Sequence, residues 1–143
     1  MRQFRSVMRT FTAHIVTKAH RRANLVIRCF MSRDMSSLVK AFNVYIRPVL
    51  EYCSVVWCLY LMKDIIALEG VQRRFTKRLP GMKSLSYLQR LTKLDLDSLE
   101  LRRIQADLIF TYKLIFGLTD INPSEFFTGS LYLSLKPKFE TLV

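Results

Sequence analysis

From Ile65 to Leu79 the chain spells a helix with two chemically different faces. Ile65, Leu68, Val71, Phe75 and Leu79 recur at three- and four-residue steps, so at roughly 100° per residue they fall on one arc. Arg73, Arg74, Lys77 and Arg78 fall on a different arc. Asp64 is placed to start this helix, and Pro80 and Gly81 stop it and turn the chain. One face packs while the other is cationic, and the rest of the chain must supply something for the packed face to meet.

The same periodicity recurs along the chain. Phe11, Ile15, Ala19, Val26 and Phe30 predict a first helix from about Thr10 to Phe30, broken by the polar cluster MSRDMSS. A second helix is expected to begin at Ser36 or Ser37 as N-cap, with Leu38, Phe42, Tyr45, Val49 and Cys53 on its apolar face. Pro48 cannot donate to the Val44 carbonyl, so a kink or break is expected there. After Gly81, SYLQRLTKL gives a short helix with Tyr87, Leu88, Leu91 and Leu94 as apolar positions. Asp97 and Glu100 have the spacing of a capping box ahead of a long helix, whose stripe is Leu101, Ile104, Leu108, Tyr112 and Ile115 and whose stop is Gly117. The alternation from Ser130 to Leu135 suits a short strand, which alone would have little to pair with. The expected fold is all-α, an irregular bundle of about five helices. With 143 residues, 50% of them hydrophobic, one domain with a single core is the working count.

Charge narrows the partners. Lys and Arg number 23 against 11 Asp and Glu, a formal net charge of +12, and an excess of this size attracts nucleic acid or an anionic membrane. Between Glu69 and Asp95 the cations Arg73, Arg74, Lys77, Arg78, Lys83, Arg90 and Lys93 meet no acid. Held on adjoining helices they could contact successive phosphates, with Arg forking two donors and Lys acting as a point charge. A solvated helical face is the plainer interpretation, and charge alone divides the two evenly.

Other chemistries find little purchase. Cys29, Cys53 and Cys58 are an odd number without Cys-x-x-Cys spacing, and His14 and His20 complete no ligand set. Asp95 and Asp97 are better explained by capping than by metal ligation, since no third carboxylate accompanies them. No catalytic residue, metal site or cofactor is nominated. The longest nearly uncharged run, Tyr52 to Met62, is 11 residues, shorter than the roughly 20 of a spanning helix. The basic, acid-free stretch before Asp34 has the composition of a mitochondrial presequence as well as that of a basic amphipathic helix.

Three stretches, YIRPVLEYCSVVW from Tyr45, LEGVQRRFTKRLPGMKSLSYLQRL from Leu68 and LDLDSLELRRIQADLIFTYKLIFGL from Leu94, resemble the helical region that follows the palm in reverse transcriptases of non-LTR (LINE-type, jockey-clade-like) retrotransposons. The family's YxRPxLEY signature stands here as Tyr45, Arg47, Pro48, Leu50, Glu51 and Tyr52, followed by Trp57. Its VQRRFTKxLPG motif is matched by Val71 to Gly81. The resemblance covers about residues 11 to 127. Past Leu118 only Asp120, Ile121, Phe126 and Phe127 still follow the pattern, and GSLYLSLKPKFETLV departs from it.

The resemblance implies a thumb-like and linker region over residues 1–127 and a divergent tail over 128–143. It implies a fragment of an RNA-directed DNA polymerase without the palm and its paired aspartates, hence not itself an enzyme, holding template and primer through RNA or DNA backbone. The plainer, purely structural interpretation of the same residues is that Pro48 bends a helix so that Tyr45, Tyr52 and Trp57 pack on neighbours. Apolar surface that normally meets a palm would favour self-association, with Tyr52, Trp57, Leu59 and Tyr60 as contributors, and the location would be nuclear or cytoplasmic. The alternatives from other classes are a helical protein-interaction module and a basic mitochondrial or membrane-surface protein.

Overall fold

The computed structural model describes residues 2–31, 34–52 and 62–121, the side chains of 2–6, 8 and 9 excepted. All of the secondary structure among these residues is helical. In chain order it comprises α1 (Arg2–Cys29), α2 (Met35–Ala41), a π-helical turn (Phe42–Ile46), α3 (Arg47–Glu51), α4 (Met62–Lys77), α5 (Tyr87–Leu94) and α6 (Leu99–Ile115). Because α2, the π turn and α3 are continuous, these make five helices. Two compact units divide the chain, Met1–Arg103 and Ile104–Val143, so the division falls inside α6. The tail from 128 to 143, the strand proposed within it, and Cys53, Trp57, Cys58, Leu59 and Tyr60 lie outside the described residues.

In the first unit, α1 lies against α4, and small Ala19 and Ala23 with Val26 are the buried apolar positions among its described side chains. Phe42 and Phe75 meet at the centre, ring centroids 4.8 Å apart and tilted 31°, a pairing that contributes about 0.5–1.5 kcal/mol beyond area burial. Val71, Leu79 and Met82 complete that part of the core. The apolar arc of α4 is thus packed as its periodicity requires, and Ile65 is the half-buried exception at the helix start.

Between Ala41 and Arg47 the chain departs from the expected pitch. The Arg47 amide donates to the Phe42 carbonyl, five residues back, so one extra residue is wound into the helix. Pro48 follows directly, in the first turn of α3, so the change of pitch falls where the proline interrupts the ladder. The extra residue shifts every later apolar position by one. Ile46 and Leu50 are buried, whereas Tyr45 is 55% exposed and Val49 only half-buried. Tyr45 and Tyr52 therefore face water and do not pack on neighbouring helices.

Helix ends account for most of the remaining differences. Asp34 is the N-cap of α2, accepting from the Ser37 amide and hydroxyl at 2.8 Å each; neither Ser36 nor Ser37 caps it. Leu79–Pro80–Gly81–Met82 forms a type II turn, with Gly81 at φ 68° and the Met82 amide donating to the Leu79 carbonyl. A reciprocal capping box sits at α5, between Ser86 and Gln89. At α6 the capping side chain is Ser98, whose Oγ accepts from the Leu101 amide at 3.1 Å, so the Asp97/Glu100 box does not form. Gly117, at φ 66°, ends α6 in a Schellman arrangement, with Leu118 N bonded to Lys113 O and Gly117 N to Leu114 O. Most of the α6 stripe is exposed: Leu101, Ile104 and Leu108 face water, Tyr112 is half-buried and Ile115 is buried.

Candidate nucleic-acid interface

Packing the apolar arc of α4 leaves its other arc outward, and Arg73, Arg74, Lys77 and Arg78 are all exposed. One flank of this arc borders α1. Arg78 Nη1 donates to Asn24 Oδ1 at 2.5 Å, and Arg74 is close enough to His20 to act on its titration. The pairings 20 with 74 and 24 with 78 advance together, so α1 and α4 run in the same sense along this seam. Burial first, and the Arg74 cation second, hold the His20 imidazole below its ordinary pKa, so it is neutral near neutrality.

The seam adds cations that the sequence reading had not assigned to this surface. Arg21 and Arg28 are exposed on α1 and share a face with Asn24 at the i, i+3, i+7 spacing of one helix stripe. They continue the charge of Arg74 and Arg78 onto the neighbouring helix. Arg22, on the same helix, donates instead to the Tyr45 carbonyl at 3.0 Å and ties α1 to the π turn.

The other flank of the arc borders α5, and here one of the seven expected contacts is lost. Arg90 is 4% exposed. Its guanidinium donates to Thr76 Oγ1 at 3.2 Å, to the Leu85 carbonyl at 2.7 Å and to the Arg73 carbonyl at 3.4 Å. It sits 5.5 Å from the centroid of the Tyr87 ring. A cation so enclosed, with its donors consumed by the fold, is a strut between α4 and α5 and does not face a phosphate. Lys83, after the Gly81 turn, and Lys93, in the last turn of α5, are exposed. Among the described residues no hydrogen bond or ion pair joins either of them to the α4 arc.

Beneath this flank lies a buried polar network. The Tyr87 hydroxyl donates to Glu69 Oε1 and accepts from Gln72 Nε2 at 3.2 Å; Gln72 Nε2 also reaches the Asp97 carbonyl at 2.8 Å. Glu69 Oε2 accepts from the Leu99 amide at 3.0 Å, which puts a carboxylate at the first turn of α6. Burial, and then the Glu69 carboxylate, push the Tyr87 phenol well above its ordinary pKa. Glu51 holds Arg102 through two hydrogen bonds, one of them 3.2 Å, and this raises the Arg102 pKa.

The described residues hold no group of three or more His, Cys, Asp or Glu side chains able to share a metal ion. No helix among them is long and apolar enough to cross a membrane. Comparison of the chain with protein-family models, with curated proteins and with solved structures finds no match to any of them.

Proposed function

We propose that the chain is a non-catalytic, sequence-indifferent nucleic-acid-holding region, the thumb-like and linker part of a LINE-type reverse transcriptase. The observation that carries this reading is the outward arc of α4. Four cations stand on the solvent side of a helix whose other side is packed into the core, and Arg21 and Arg28 of α1 extend the charge across the adjoining seam. Such an array suits a phosphate backbone, whose charges succeed one another at intervals of a few ångström. The motif from Val71 to Gly81 that resembles the family is the same segment that builds this arc. Polymerisation itself would belong to palm elements of the parent enzyme, and metal-dependent primer extension by the purified chain would overturn this reading.

Salt titration of binding to a structured RNA and to a duplex DNA is the direct test. A variant with Arg73, Arg74, Lys77 and Arg78 all changed to Ala should lose roughly three units of slope of log affinity against log salt, at about 0.7–0.9 per phosphate contact. An unchanged slope would make the arc a solvated face.

A second reading, self-association, draws on exposed apolar side chains. Tyr52 in the first unit, and Leu108 and Ile109 in the second, are each more than half exposed. Sedimentation velocity at micromolar concentration checks it, and a monomer would end it.

A further inference from the structure

Of the four cations on the α4 arc, Arg73 is held in a different way from the others. Arg78 has an Nη committed to Asn24. The Arg73 guanidinium instead lies over the Tyr87 ring, its central carbon 4.8 Å from the ring centroid, and among the described residues it makes no hydrogen bond. Stacking of this kind uses the face of the guanidinium and leaves its in-plane N–H donors outward.

The ring beneath it is fixed at its far end. Its hydroxyl is held between Glu69 and Gln72, which are themselves tied to the Leu99 amide and the Asp97 carbonyl. Arg90 lies against the same ring and bonds the Arg73 backbone carbonyl, so main chain and side chain of Arg73 are both located. A planar cation with free donors, set on an immobile platform and exposed to solvent, matches the two-oxygen edge of a phosphodiester. It also loses little rotamer freedom on binding one.

We infer that Arg73 is the anchoring phosphate contact of this surface, and that Tyr87, with Arg90 behind it, is a positioning residue that presents the Arg73 fork. This inference rests on the nucleic-acid reading above. It gives Arg90, which the sequence set among the phosphate contacts, a supporting part in the same contact.

The test is fluorescence anisotropy of a labelled structured RNA with the full chain, repeated over a range of salt. Arg73→Ala should weaken binding about tenfold at physiological salt and lower the salt slope by about 0.7–0.9. Arg73→Lys should keep the slope, because the charge remains, yet lose most of that tenfold, because the fork is gone. Tyr87→Leu should behave like Arg73→Lys. Tyr87→Phe, which keeps the ring and its Arg90 contact and loses only the hydroxyl anchor, should lose far less binding than Tyr87→Leu even though it unfolds more easily.

Equal losses for Tyr87→Leu and Tyr87→Phe, in proportion to their stabilities, would reduce Tyr87 to a structural residue and overturn the positioning role. Parent-like binding by Arg73→Ala, with the fourfold variant impaired, would overturn the anchor while leaving the nucleic-acid reading intact. Failure of the parent chain to bind RNA or DNA at all would remove both.

Discussion

Glu69 should be among the most costly side chains to remove, although it is a charged residue in the middle of an amphipathic helix. Its two oxygens accept from two donors that come from elsewhere in the fold, the Tyr87 hydroxyl and the Leu99 amide. Glu69→Ala leaves both donors without an acceptor in a region where Leu99 is 3% and Glu69 itself 9% exposed. An orphaned buried donor costs about 1–3 kcal/mol, and losing a carboxylate at the start of α6 costs roughly 0.3–1 kcal/mol more. The expected loss is about 3–5 kcal/mol, against a total of roughly 5–15 kcal/mol for an ordinary domain. Glu69→Gln keeps one accepting oxygen but sets an amide against the second donor, so about half of that loss is expected. Urea unfolding followed by far-ultraviolet circular dichroism reads both variants. Amide exchange at Leu99 should quicken in Glu69→Ala ahead of exchange in the centre of α4. If both variants unfold within ~0.5 kcal/mol of the parent, the range of an unremarkable surface change, water replaces these hydrogen bonds and the network holds nothing together.

Asp95→Gly should raise stability by about 0.5–1 kcal/mol, read as a higher melting temperature. Asp95 ends α5 in the left-handed region at φ 52°, where a β-carbon is strained and glycine is not. Hydrogen bonds from the Ser37 amide, then its hydroxyl, hold the Asp34 carboxyl below its ordinary pKa. Its contribution is therefore complete above the unfolded-state value and lost as pH falls through the folded one, and Asp34→Ala should flatten that acid limb of the stability profile. The sign is opposite at Tyr87, whose folded pKa is raised. Stability from it is complete below the ordinary tyrosine range, about pH 10, and is lost as pH rises beyond that; Tyr87→Phe should remove this share of the alkaline loss in unfolding titrations.

What the sequence made legible was what repeats locally. The two arcs of α4 are a property of spacing within one helix, and they stand in the structure as the periodicity requires. The Pro80–Gly81 stop and Gly117 were legible for the same reason, since backbone conformation at those positions is set by the residue itself. Arg90 was not, because its fate is decided by α4 crossing over it: nothing within SYLQRLTKL says that Leu88 would face water and Arg90 the interior. Glu69 and Gln72 read as ordinary polar positions of an amphipathic helix, yet both are buried, because their partners lie 15 to 30 residues away in the chain. Arg21 and Arg28 became part of the surface only once α1 was known to run alongside α4. The α6 caps failed by a single residue: Ser98 competes with Asp97 for the same role and is one position closer to the helix.

The π turn at Phe42–Ile46 also governs how this chain can be compared with others. A relative that lacked the extra residue would run straight from Ala41 to Glu51 as ordinary α-helix, and its core-facing positions would correspond to Ile46 and Leu50 only after a one-residue gap was opened between Ala41 and Arg47. Ungapped superposition across that stretch would match solvent-facing Tyr45 to a core residue and mistake a conserved architecture for a lost one. The signature from Tyr45 to Tyr52 straddles this offset. Loss of one residue within the turn is, by the same geometry, a change the helix can absorb by reverting to regular pitch, provided that the apolar pattern downstream moves with it.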